Sequence, residues 1–253
     1  MRRIYSYLPI FIFLICLSFV SKGIFSKAVL EAASNQKVVK IYSEVLYGID
    51  KKKSVVTLGI TGGKDEVKSD VFKGSGFLVL TEDNPLILTA AHVIRGPSPS
   101  ALKKVGDYKI DGDKVKITYL KYRARISTFS LKPDRIYLDE GNDIALLKIT
   151  KDKLNLLNLE TFDLKDATPK VEDPVRIWGF PGTSVPQFHD KAKVTDVKAS
   201  YFSLNQTVDP GYSGGPVFSS KGKLLGLVAR SSEKQTRCVT ISDIQKAVKE
   251  FDK

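Results

Sequence analysis

Cysteine, histidine, tryptophan and methionine are all scarce: two, two, one and one in 253 residues. The cysteines are Cys16 and Cys238, too few for a disulfide framework, so stability has to come from burial of an apolar core, which a chain of this length can supply. Without a second cysteine near it, Cys238 in Arg237-Cys238-Val239-Thr240-Ile241 reads as a small buried apolar residue rather than a metal or redox group. No internal repeat is present, and 42% hydrophobic residues with 18 glycines and 11 prolines exclude collagen-like, coiled-coil and wholly disordered chains. With only His92 and His189 available, any imidazole-dependent chemistry must use one of them.

A long membrane-spanning run is also missing. Arg2 and Arg3 precede the apolar stretch Leu8 to Val20, interrupted by Pro9 and Ser18 and ended by Ser21, Lys22 and Gly23. That is shorter than the roughly 20 apolar residues a bilayer needs. With small residues at Ser26 and Ala28, residues 1–28 read as an export signal, a retained anchor being the alternative. Ile15 before Cys16 argues against a lipid-modified cysteine. Cleavage after Ala28 removes four basic residues and no acidic one, taking the formal charge from +12 to +8. A periplasmic or secreted protein so charged is expected to be drawn to anionic envelope surfaces. Specific nucleic-acid binding is not expected, because the lysines are scattered, Lys51-Lys52-Lys53 being the densest cluster, and no nucleic-acid motif accompanies them.

The remaining chain reads as two series of short strands. Loosely helical spacing over Leu30 to Leu46 predicts an N-terminal helix. Strand-like runs follow at Val55 to Ile60, Phe77 to Leu80, Leu86 to Ala90, Val115 to Leu120, Arg125 to Phe129 and Ile144 to Ile149. After the polar stretch Leu159 to Asp173 come Val175 to Gly179, Ala192 to Val197, Tyr201 to Leu204, Gly215 to Phe218, Leu224 to Val228 and Val239 to Ile241. Ser242 is a candidate N-cap for a closing helix in which Ile244, Ala247, Val248 and Phe251 recur at helical spacing. Six strands and six predict an all-β protein of two packed antiparallel barrels with a C-terminal helix, and a cleft between them is a natural site for chemistry. The expected divisions are 1–28, a helix and first strand region over 29–72, a first barrel over 73–158 and a second barrel with its helix over 159–253.

His92 stands where the apolar strand Leu88-Thr89-Ala90-Ala91 ends in small residues that let a ring emerge, whereas His189 has ordinary loop surroundings. In Pro210-Gly211-Tyr212-Ser213-Gly214-Gly215-Pro216, glycines can hold a serine hydroxyl on a tight turn, with the N–H groups of Gly211 and Ser213 aimed at one oxyanion. A serine nucleophile needs a base, and the base an orienting carboxylate. Asp143, directly before the apolar run Ile144 to Ile149, fits better than Asp134, Asp139 or Glu140 in more polar, turn-like surroundings.

The segments TAAHV, DIALLKI and GYSGGP, in this order, resemble those of trypsin-like, chymotrypsin-fold serine proteases over about Lys73 to Phe251. Gly74-Ser75-Gly76-Phe77 ahead of the histidine makes the chain most similar to bacterial HtrA/DegP-type protease domains. The resemblance implies two six-stranded barrels, protein or peptide substrates, catalytic His92, Asp143 and Ser213, and no metal or organic cofactor. It places the specificity pocket near Thr207, Ala229, Arg230 and Ser231. An inward Arg230 would favour an acidic substrate side chain and an outward one would be solvated; Val228, where glutamyl endopeptidases carry histidine, weakens an acid-specific reading. Only 40 residues follow Ser213, so no PDZ domain is expected and the assembly behaviour of PDZ-bearing relatives is not carried over. Tyr212 replaces the Asp or Asn usual before the serine, which argues against zymogen control by a new N-terminus. Its bulk beside the oxyanion hole also supports an alternative, a catalytically impaired protease fold serving as a binding or regulatory module.

Overall fold

The computed structural model describes residues 38–51, 66–81, 85–96, 104–105, 108–109, 115–126, 131–157, 161–165, 167–183, 185–232 and 234–253. The export signal, Cys16 and the strand expected over Val55 to Ile60 lie outside these residues.

The first half is one sheet. β1 (Val38–Lys51) pairs antiparallel with β2 (Glu66–Leu80) and with β6 (Val115–Ile126). Beyond β2 the sheet continues through β3 (Pro85–Ala90), β8 (Ile144–Lys148) and β7 (Arg135–Asp139), and β9 (Thr161–Phe162) adds to β2 in parallel. A two-stranded ribbon, β4 (Lys104–Val105) with β5 (Tyr108–Lys109), stands apart. Among the described residues the sheet curls as a half-barrel without closing. Two short helices leave it, α1 (Ala91–Arg95) after β3 and α2 (Lys151–Leu157) after β8.

The second half closes fully. β10 (Pro174–Gly179), β11 (Gln187–Val197), β12 (Tyr201–Leu204), β15 (Thr236–Thr240), β14 (Leu224–Ser231) and β13 (Pro216–Ser219) form a six-stranded barrel in that order, its strands falling on the short apolar or alternating runs of the second series. α3 (Ile241–Phe251) then turns Ile244, Ala247, Val248 and Phe251 into a core shared with the first sheet. Phe251 meets Tyr137 edge to face at 6.4 Å, and the Tyr137 hydroxyl donates to Glu250 at 2.6 Å, so the last helix fastens the two halves together.

Three local readings change. Over its described part, the expected helix Leu30 to Leu46 is strand β1, with Val39, Ile41, Ser43 and Val45 buried and the residues between them half-exposed. Ser43 occupies an inward position and donates its hydroxyl to the Ile94 carbonyl. A polar residue in a buried slot breaks the period-two hydrophobic signal, and pairing with β2 and β6 decides the conformation. Thr240, not Ser242, caps α3, accepting from the Asp243 N–H at 3.4 Å. His189 lies in β11 rather than in a loop, because that strand begins earlier than its apolar residues suggest.

Cys238 is fully buried in the barrel, and burial pushes its thiol well above the usual range. In a Cys16→Ser chain, iodoacetamide at mildly alkaline pH is therefore expected to leave Cys238 unmodified in the native state and to modify it after guanidinium denaturation. Fast native labelling, read by mass spectrometry, would contradict this burial.

Candidate active site

Every residue of β3 is buried, and the strand delivers His92 to the start of α1. The facing turn between β7 and β8 is shaped by Asp139, whose carboxylate accepts from the Asn142 backbone N–H at 3.1 Å and from its side-chain amide at 2.8 Å. Asp143 follows with φ +61°, a left-handed conformation, and is 6% exposed. It holds the histidine at two points. One carboxylate oxygen accepts the His92 backbone N–H at 2.9 Å, and the other lies 2.9 Å from His92 Nδ1. The Asp143 carbonyl also accepts from Ala91 N–H at 3.1 Å. The competing carboxylates are engaged elsewhere: Asp134 with Lys153, which holds it below the usual carboxylate range, Glu140 with Arg95, and Asp139 with Asn142.

Ser213 comes from the other half, on the loop before β13, and is half-buried. Its carbonyl accepts the Ser75 N–H at 2.8 Å. A Cβ on Gly74 would fall 2.5 Å from Val93 Cγ2 and 2.8 Å from the Ser213 carbonyl oxygen, so the residue after His92 and the serine backbone converge over Gly74. The Tyr212, Gly214 and Gly215 N–H groups donate to Asp209, Val228 and Tyr212 carbonyls. Among the described residues, the Gly211 and Ser213 N–H groups meet no protein acceptor.

Ser75 is the residue that sequence reasoning missed. It is fully buried, its hydroxyl donates to the Gly211 carbonyl at 2.6 Å and accepts the Phe180 N–H at 2.9 Å, and its carbonyl accepts the Thr89 hydroxyl at 2.6 Å. One first-half side chain thus pins the Gly211–Tyr212 peptide. The available signal was the pair of glycines around it, since a Cβ at Gly76 would lie 2.8 Å from the Leu88 carbonyl and one at Gly74 would clash as above.

Tyr212 is turned into the barrel core with Val208 and Val217, its ring edge-on to His189 at 6.1 Å. A Cβ on Gly179 would come within 2.9 Å of the Tyr212 ring, so a bare glycine makes the room this tyrosine occupies. Burial, with Asp209 and Asp190 nearby, raises the Tyr212 phenol above its ordinary range. His189 bonds Gln206 Oε1 at 2.6 Å and is separate from the His92–Asp143 pair.

The four residues expected to form a specificity pocket divide into two groups. The Thr207 hydroxyl donates to the Ser232 carbonyl at 2.9 Å, tying its loop to the β14–β15 turn, where Ser231 Oγ lies 3.1 Å from Thr236 Oγ1 on the partner strand. Ala229 and Arg230 instead line a separate cavity with Asp143. The Arg230 side chain is 69% exposed, yet its Nε approaches Asp143 Oδ2 to 3.7 Å.

These features define a class: a two-lobed β protein with a histidine–aspartate pair on one lobe and a glycine-cradled serine on the other. The sequence profile of the trypsin-like peptidase domain matches residues 74–227, and the chain belongs to that family. HtrA-like serine proteases of Staphylococcus aureus strains MRSA252 and USA300 are each 26% identical over 212 residues, covering 75% of this chain and 24% of theirs. The chain thus spans about a quarter of the length of these curated relatives. The active form of the Rv3671c protease from M. tuberculosis shares the fold, with a TM-score of 0.55 at 17% identity over 87% of this chain and 82% of that one. An inactive form of the same protease gives a TM-score of 0.51 over 87% and 90% of the two chains.

Proposed function

We propose that the protein is an exported serine endopeptidase, periplasmic or secreted, that hydrolyses protein or peptide substrates through His92, Asp143 and Ser213. The observation that carries this reading is the two-point hold of Asp143 on His92. With Nδ1–H donated to the carboxylate, Nε2 is left as the proton acceptor. Ser213 Oγ attacks the peptide carbonyl carbon while His92 Nε2 takes its proton. The carbonyl oxygen becomes an oxyanion that the Gly211 and Ser213 N–H groups are free to receive. Collapse breaks the C–N bond as His92 returns the proton to the leaving amine, and water, activated by the same imidazole, releases the acyl group. The seating of Tyr212 in the barrel core favours this reading over an impaired binding module, because the bulk of the residue is spent away from the serine.

A serine-directed fluorophosphonate applied to the processed protein tests the site, with casein digestion in parallel. Labelling and cleavage are expected in the parent and neither in Ser213→Ala or His92→Ala. A folded parent that neither labels nor cleaves would refute the endopeptidase reading.

A further inference from the structure

Arg230 and Arg237 stand directly opposite one another on β14 and β15. Like charges in such a pair repel. Both line an open cavity together with Asn142, Asp143, Ser200 and Tyr201. The Arg237 Cζ sits over the Tyr201 ring, 3.7 Å from its centroid, and among the described residues neither arginine has a carboxylate within hydrogen-bond distance. Asp143, among the described residues the one acidic group lining the cavity, stands 3.7 Å from Arg230 with both oxygens already accepting from His92. Asp139 and Glu140, on the adjoining turn, are occupied by Asn142 and Arg95. Among the described residues, two guanidiniums therefore line a cavity with one carboxylate, Asp143, which already accepts from His92 through both oxygens and only approaches Arg230, and their forked N–H groups suit a second carboxylate.

We infer that this cavity is a subsite for an acidic side chain of the peptide substrate, with Arg230 and Arg237 as specificity-determining residues. This rests on the endopeptidase reading and deepens it. The cavity shares Asp143 with the His92–Asp143 pair but is lined by neither His92 nor Ser213, so a side chain held there belongs to a substrate residue set back from the scissile bond. The Arg230 side chain is largely exposed and Arg237 is held over Tyr201, so binding costs little reordering of the second arginine. The acidic preference comes from this cavity and not from Thr207 and Ser231, which do not line it.

The test uses Ser213→Ala protein and a positional-scanning peptide library in which Glu, Gln or Lys fills each position in turn. Glu is expected to bind roughly tenfold or more tighter than Gln at one position, the ratio shrinking as salt is raised. It should fall toward one in Arg230→Gln and in Arg237→Gln, while Arg230→Lys keeps part of it. Equal binding of Glu and Gln libraries, or a preference that survives the double Gln variant, would overturn the subsite. Full competition by free glutamate would overturn it in favour of a small-anion site. Because binding is read without catalysis, loss of the preference leaves the hydrolase reading standing. Absence of fluorophosphonate labelling in the parent leaves the preference measurable.

Discussion

Asp143→Asn is expected to lower kcat by about 10⁴-fold, the size of effect this change has in a Ser-His-Asp triad. The physical reason is specific to the two bonds Asp143 makes. Both oxygens are acceptors, one from the His92 backbone N–H and one facing His92 Nδ1. An asparagine has a single acceptor oxygen, and the backbone N–H is a donor that cannot change its role. Once the amide oxygen serves that N–H, the amide nitrogen faces the ring and requires Nδ1 to accept. The proton then resides on Nε2, which can no longer take one from Ser213. The backbone should barely notice, because φ +61° is a conformation that asparagine tolerates better than most residues. The expected result is thus a near-native melting curve with a large loss of turnover and a slow fluorophosphonate reaction. Turnover within tenfold of the parent would show that the pair does not act as proposed.

Gly214→Ala is expected to disable the site by a different route, displacing Ser213 rather than the proton. Gly214 has φ +81°, and a Cβ there would lie 2.3 Å from both the Ser75 carbonyl oxygen and Thr89 Oγ1, and 2.8 Å from the Ala90 nitrogen. The new atom would enter the hydrogen bond by which Thr89 holds Ser75. Two of the three obstacles are backbone, so no side-chain rotation relieves them. Left-handed strain of roughly 1–2 kcal/mol and overpacking of roughly 1–3 kcal/mol together predict a loss of about 2–5 kcal/mol. A shift of the serine by about 1 Å would cost on the order of 10²-fold in rate. Gly222→Ala is the matched control. Its φ is +76°, but nothing lies within 4 Å of the added Cβ, so only the backbone strain remains. If Gly214→Ala and Gly222→Ala melted alike and labelled alike, the packing of the two halves at Gly214 would not be what seats the serine.

Much of this was written locally in the chain. The strand–histidine junction at Thr89 to His92, the aspartate before Ile144 to Ile149 and the glycine-flanked Ser213 each depend on neighbours within a few residues. Their order along the chain was enough to name the family. The strands of the closed barrel were legible for the same reason, because each is a short run whose burial, alternating in β10 and β11 and continuous in β14, shows in successive residues. β1 was not. A buried serine in the middle of its inward face erased the alternation, and the bonds that compensate it come from α1 and from the partner strands.

The sequence by itself determined which groups are available for chemistry: two histidines, one serine cradled by glycines and an acidic residue at the head of an apolar strand. Only the tertiary structure decided that Ser75 pins the Gly211 carbonyl, that Tyr212 enters the barrel over Gly179, and that Arg230 faces Asp143 beside Arg237. Each of these contacts joins residues brought together by strand register or by the docking of the two halves. Side-chain direction in such contacts depends on which neighbour fills the adjoining space, and that neighbour is remote in the chain.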